Sequence, residues 1–145
     1  MKTDEVITRS RWYRTGDLGT IDQDGRLRID GRIKDLIIRG GENIHPREVE
    51  IILHKIDLIE DAHVFGVPDK RFGEEVCTWV KLNRSKCVGL SEDKIREKIM
   101  IYCKEKLSYY KVPKFVVFVE EFPLTPVRKI KKFEMRAQMV KSLRL

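Results

Sequence analysis

The chain has 145 residues, 41% apolar and 37% charged, with 9 Gly and 5 Pro. That composition suits one ordinary domain with its own core and excludes both a large two-domain enzyme and a low-complexity polymer. Of the net charge of +7, +6 belongs to the end of the chain, since residues 111–145 carry nine basic and three acidic side chains, a bias that fits a phosphorylated partner such as a nucleotide, a nucleic acid or an anionic membrane surface.

Taken in chain order, Leu18 to Ile21 and Leu27 to Ile29 flank Asp22-Gln23-Asp24-Gly25, and a glycine free to adopt positive φ makes this a β-hairpin. Leu36-Ile37-Ile38 is a short apolar strand cut by Arg39-Gly40-Gly41. Pro46 then sits well at the first position of a helix in which Val49, Ile52, Leu53 and Ile56 recur at helical spacing. His63 to Val67 forms a strand ending at Pro68-Asp69. In the next strand Val76, Thr78, Val80 and Leu82 alternate with Cys77, Trp79 and Lys81, which predicts a half-buried element.

Ser91-Glu92-Asp93 supplies an N-cap and two first-turn acids for a helix over about Glu92 to Lys106, with Ile95, Ile99, Tyr102, Cys103 and Leu107 on one apolar face. Phe115 to Val119 is apolar on both faces, as expected of a central strand. Pro123, Thr125 and Pro126 introduce a loop before a last helix predicted to turn Phe133, Ala137, Val140 and Leu143 inward. The resulting order predicts an α+β fold.

Cys77, Cys87 and Cys103 are odd in number and lack C-x-x-C spacing, so a reducing compartment fits better than a disulfide framework or a zinc site. The segment Met1 to Val6 has no apolar run of signal-peptide length and is too acidic for a transit peptide, the ending Leu143-Arg144-Leu145 is not a peroxisomal address, and no apolar run is long enough to span a membrane. His45, His54 and His63 are dispersed without acid partners at ligand spacing, so no metal site is expected. Neither a P-loop nor a G-x-G-x-x-G after a strand occurs.

Four separated polar signals remain: Tyr13-Arg14-Thr15-Gly16-Asp17, Gly31-Arg32-Ile33-Lys34-Asp35, Gly40 to Glu50, and Lys129-Ile130-Lys131-Lys132. Each has an ordinary explanation alone: a turn, a solvated strand end or a basic helix start. In this order and spacing, from about Trp12 to Leu143, they resemble the C-terminal part of the adenylate-forming superfamily of acyl-CoA synthetases, peptide-synthetase adenylation domains and luciferases. Ile37 to Ile44 and Phe122-Pro123-Leu124-Thr125 look closest to the medium-chain, mitochondrial type of fatty acyl-CoA ligase.

The resemblance implies a two-step reaction in which a carboxylate attacks the ATP α-phosphate and the thiol of coenzyme A then displaces AMP. Residues 1–31 would be the end of a large AMP-binding domain and 32–145 a small mixed-sheet lid with packed helices. The rest of the large domain, expected to bring the phosphate loop and help place Mg2+, would be a partner outside this chain. Localisation would be mitochondrial or cytoplasmic.

By the same resemblance, Asp17 would accept hydrogen bonds from the ribose diol, unless it merely caps a turn. Arg32 would contact ribose and phosphate oxygens through its fixed donor fork. Lys34 would be the hinge, if not simply a solvated lysine. Gly41 would close its bare backbone against the pantetheine arm, or serve only the turn. Lys129 would offset charge developing during adenylation. The family usually places a glycine before this lysine and a small residue before that glycine; here Val127-Arg128 precede it. A positive φ at Arg128 would cost on the order of 1 kcal/mol. The competing expectation is a stand-alone, non-catalytic basic module that binds nucleic acid or a partner protein, with Phe115, Phe118 and Phe122 as stacking candidates; no specific nucleic-acid binding is expected under the ligase interpretation.

Overall fold

The computed structural model of the chain describes residues 6–144; the amino-terminal residues 1–5 searched for targeting signals, and Leu145 of the terminal tripeptide, lie outside them. The fold is α+β, in two unequal parts. The first is a hairpin of β1 (Asp17–Ile21) and β2 (Leu27–Arg32), closed by a turn in which Gly25 takes φ 78° and Asp22 accepts the amides of Asp24 and Arg26. Its apolar side chains Ile21 and Leu27 are largely exposed, so it is an arm rather than a layer of the core.

A short 3-10 turn, Ile33–Asp35, leads into β3 (Ile37–Arg39) and β4 (Glu42–Ile44). The strand β4 is additional to the elements the sequence predicts. Gly40 and Gly41, at φ 58° and 88°, form a two-residue hairpin turn whose twist returns the chain on itself, so the glycines join two strands instead of ending one.

Helix α1 (Pro46–Leu53) starts on Pro46, as expected. It is followed by the long hairpin of β5 (Ile59–Asp69) and β6 (Gly73–Leu82), closed where Asp69 Oδ1 accepts the amides of Arg71 and Phe72. Helix α2 (Glu92–Lys106) has the predicted bounds and N-cap, with Ser91 Oγ accepting the Lys94 amide at 3.4 Å. It forms the crossover to β7 (Phe115–Phe118), which pairs in parallel with β6. Helix α3 (Lys132–Leu143) closes the fold.

The sheet order is β4-β3-β6-β5, with β7 also paired to β6. Two strand expectations are corrected by this order. The central strand is β6, not β7, and β6 is buried on both faces from Glu75 to Val80. Its alternation separates two apolar sets rather than an inner and an outer one: Val76 and Val80 join α1 and α2 around Val49, Leu53, Ile95, Ile99 and Cys103, whereas Cys77 and Trp79 meet α3.

The inward face of α3 is also different from the predicted one. Met135 and Met139 are buried, while Phe133 and Ala137 are exposed and Leu143 stands at the surface. Two apolar stripes compete on this helix, and the flexible methionines fill the space beside Phe65, Val67 and Trp79.

Candidate functional site

Cross-strand pairing brings two of the predicted residues together directly. Asp17 is opposite Arg32 in the β1–β2 register, with Arg32 Nε 3.4 Å from Asp17 Oδ1. Both remain partly exposed, so the guanidinium and carboxylate present a donor and an acceptor side by side. Lys34 follows on the exposed 3-10 turn.

Arg32 and Lys34 line one wall of an open cleft of about 310 Å3, whose other wall carries Ile130, Lys132, Phe133 and Arg136. Thus the turn at Lys34 and the exit of the Lys129 loop face the same space. Gly41 stands apart from that cleft, at the tip of the β3–β4 hairpin; apart from Gly41 itself and its two chain neighbours, no heavy atom of the described residues lies within 4 Å of the position its Cβ would occupy. Its φ of 88° disfavours a side chain, and the space beside it is open for a narrow ligand to approach the backbone.

The loop from Pro123 to Lys131 is a closed arch. Leu124 bridges Ile130, the Thr125 amide donates to the Lys129 carbonyl, and the Lys131 amide donates to the Pro123 carbonyl. Arg128 occupies the left-handed region at φ 59°, the conformation that its β-carbon disfavours. Lys129 is exposed and makes no ion pair among the described residues, whereas the following basic residues are paired: Lys131 with Glu134, Lys132 with Glu50 and Arg136 with Glu74.

Two buried networks support these pieces. Glu75, 3% exposed, receives a two-pronged hydrogen bond from Arg39 at 2.8 and 3.0 Å, which raises the Arg39 pKa. Arg39 also lies over the Phe72 ring at 4.2 Å, and Gly40 is held to the Phe72 carbonyl by its amide. On the other side, His63 meets Phe122 edge-on at 4.6 Å. Its Nε2 comes within 3.3 Å of Asp61 Oδ2 but lacks hydrogen-bond geometry and has no other partner among the described residues. Burial holds this imidazole below its ordinary pKa, with Asp61 and Glu50 pulling the other way.

The thiols are free, and burial pushes Cys77 up to about 12 and Cys103 up to about 11, which leaves them poor nucleophiles. Among the described residues, no group of three His, Cys, Asp or Glu side chains could hold a metal ion, and no helix is long and apolar enough to cross a membrane.

Residues 48–129 match the family model of the AMP-binding enzyme C-terminal domain. The chain belongs to that family. Relatives of this AMP-binding C-terminal domain include the mitochondrial medium-chain acyl-CoA ligase ACSF2 of Rattus norvegicus, 46% identical over 99% of this chain and 22% of the relative. The ligase of the same name from Danio rerio is 47% identical over 99% of this chain and 23% of its own. A putative acyl-CoA synthetase, YngI of Bacillus subtilis, is 42% identical over 99% of this chain and 25% of its own.

Among solved structures, an ATP-bound RpMatB-BxBclM chimera superposes with a TM-score of 0.86 at 33% identity, covering 94% of this chain and 26% of that one. A Mycobacterium tuberculosis fatty acyl CoA synthetase gives 0.72 at 36% identity, over 97% and 26%. The chain therefore spans only about a quarter of the length of these proteins.

Proposed function

We propose that this chain is the C-terminal part of an ATP-dependent fatty acyl-CoA ligase, a lid that works beside a large AMP-binding domain. The observation that carries the proposal is the position of Lys129: an exposed ammonium, with no ion pair among the described residues, on a closed arch whose exit shares a cleft with Arg32 and Lys34. The similarity to acyl-CoA ligases across nearly the whole chain supports it.

In this function the fatty-acid carboxylate oxygen bonds to the α-phosphorus of ATP and pyrophosphate leaves. Lys129, swung over the pocket, offsets the charge that builds on the phosphate and the attacking oxygen. Asp17 accepts the ribose hydroxyls and Arg32 holds ribose and phosphate oxygens. Rotation about Lys34 then carries Lys129 away and brings Gly41 beside the pantetheine arm. The coenzyme A thiol attacks the acyl carbonyl, AMP leaves, and the thiol proton passes to solvent. Mg2+ bound by the large domain would supply phosphate charge neutralisation. Residues 1–31 belong with that domain, whose surface would cover the exposed apolar arm, and residues 32–145 form the lid. The names of the relatives favour a mitochondrial over a cytoplasmic location.

The stand-alone basic module is disfavoured by two features of the fold. Phe115, Phe118 and Phe122 pack against the two core clusters, so they do not form a stacking platform. Much of the basic tail is spent on ion pairs, including Lys111 to Glu48 and Lys114 to Asp69.

The test compares the purified chain with the chain fused behind the large domain of the Danio rerio relative, each given ATP, Mg2+, a medium-chain fatty acid and coenzyme A. Thioester should form only with the fusion. Formation by the chain alone, or an inactive but folded fusion, overturns the proposal.

A further inference from the structure

The outer edge of β5 pairs with no further strand among the described residues, and unpaired backbone groups at such an edge normally need protection. Here side chains replace the missing strand. Glu50 Oε1 on α1 accepts the Val64 amide at 2.9 Å, and Lys132 Nζ on α3 donates to the Val64 carbonyl at 2.9 Å. Lys132 also donates to that same Glu50 oxygen at 2.7 Å. One turn further along α3, Arg136 Nη1 donates to the Gly66 carbonyl at 2.7 Å and to Glu74 Oε1 at 2.6 Å.

The spacing explains the match. Four helical residues advance about 6 Å and two strand residues about 6.6 Å, so Lys132 and Arg136 meet successive outward-facing carbonyls of β5. A slide of α3 along the edge by even one residue would break both contacts. The helix register is therefore fixed by polar contacts, while Met135 and Met139 supply adaptable apolar filling.

Lys129 lies only three residues before Lys132. The entrance of its arch is held by Phe122 against His63, and its exit by Ile130 in the apolar cluster and by Lys132. We propose that Lys132, clamped between Glu50 and the Val64 carbonyl, is a positioning residue for adenylation: it fixes the register of α3 and thereby the place from which Lys129 reaches the reacting phosphate. The proposal rests on the role assigned to Lys129. It adds that a second lysine, which touches no substrate, is required for the first half-reaction in particular.

The test uses Lys132→Met, which keeps an aliphatic stem and loses the ammonium; Lys132→Arg, which keeps charged donors; and Glu50→Gln, whose amide oxygen still accepts the Val64 amide. Lys129→Ala runs in parallel. In the fusion with the large domain, Lys132→Met should slow acyl-AMP formation by about 10- to 100-fold, the range expected for displacement of a reacting group by about 1 Å. Thioester formation from supplied acyl-AMP should stay within about two-fold, Lys132→Arg should recover most of the lost rate, and Glu50→Gln should lose rate in the same step to a smaller extent.

In the 145-residue chain itself, amide exchange at Arg128 and Lys131 should accelerate by about ten-fold in Lys132→Met, with α2 amides such as Ile99 unchanged. Equal slowing of both half-reactions, or equal acceleration of the loop and α2 amides, would mean a general structural role and overturn the proposal. So would a normal adenylation rate in Lys132→Met where Lys129→Ala is impaired. If Lys129→Ala proves fully active, the role of Lys129 fails and this proposal with it. An impaired Lys129→Ala beside a normal Lys132→Met removes this proposal alone.

Discussion

Thr125 and Lys129 are bonded twice across the arch: the Thr125 amide donates to the Lys129 carbonyl at 2.8 Å, and the Lys129 amide donates to Thr125 Oγ1 at 3.0 Å. Those bonds close the loop tightly enough to force Arg128, the residue between the turn and Lys129, to φ 59°. A glycine would adopt that conformation without penalty. Arg128→Gly should therefore stabilise the arch by about 1 kcal/mol, less the extra chain entropy glycine has when unfolded. Slower amide exchange at Lys129 and Lys131 would report it, and adenylation by the fused enzyme should rise or stay level. A fall in adenylation would show that the Arg128 guanidinium itself serves the closed site.

Breaking the Arg39–Glu75 pair should be among the most damaging single changes. Glu75 is 3% exposed and the Arg39 side chain 17%, so Glu75→Ala leaves a guanidinium without its partner in a largely dry site. A loss of about 3 to 5 kcal/mol is expected from the urea midpoint. Lys114 Nζ, 3.7 Å from Glu75, cannot replace the carboxylate, being a cation itself. A loss below about 1 kcal/mol would show that Arg39 escapes to solvent at no cost.

The His63 imidazole gives the stability curve a sign. Burial lowers its pKa from the ordinary 6.5 in the folded chain, so the unfolded chain takes up the proton first. Its contribution to stability is therefore fully present above about pH 6.5 and is lost as pH falls below that value toward the lower folded pKa. Denaturant midpoints measured from about pH 7.5 to about pH 5.5 should fall more steeply for the wild type than for His63→Leu. Parallel curves would show that His63 charges in place, drawing on Asp61 and Glu50.

What the sequence reveals about this fold is mainly what is encoded locally. The first hairpin rests on an Asp-Gly turn, α1 on Pro46 and α2 on the Ser91 cap, and each motif carries its own geometry within a few residues. The double burial of β6 and the choice of Met135 over Phe133 depend on which elements cover each face, which periodicity cannot state. The same holds for the site. Arg32 and Lys34 stand in a recognisable motif, but Glu50 and Lys132 are separated by 82 residues and meet only because both flank the β5 edge. The sole local hint is that Lys132 and Arg136 lie one helical turn apart.

Substitutions at Lys129 and Lys34 should separate the two orientations proposed for the lid. Lys129 makes no ion pair among the described residues and sits on an arch whose shape does not depend on its side chain, so Lys129→Ala should leave the fold intact. In the fused enzyme it should lower acyl-AMP formation by about 10²- to 10³-fold, or roughly 2.7 to 4 kcal/mol, the usual cost of one preorganised charge contact. Thioester formation from supplied acyl-AMP should be nearly unaffected, because in the proposed second orientation the lysine would have left the pocket. Lys34→Pro should do the reverse. The Lys34 turn joins the first hairpin to the rest of the fold, and under the proposed function a proline there would restrict the torsions through which the lid swings, so the second half-reaction should suffer more than the first. Rapid-quench measurement of each half-reaction distinguishes the two. Equal losses in both steps for Lys129→Ala would assign the lysine a structural role, and unchanged kinetics for Lys34→Pro would move the hinge elsewhere in the Gly31 to Leu36 segment.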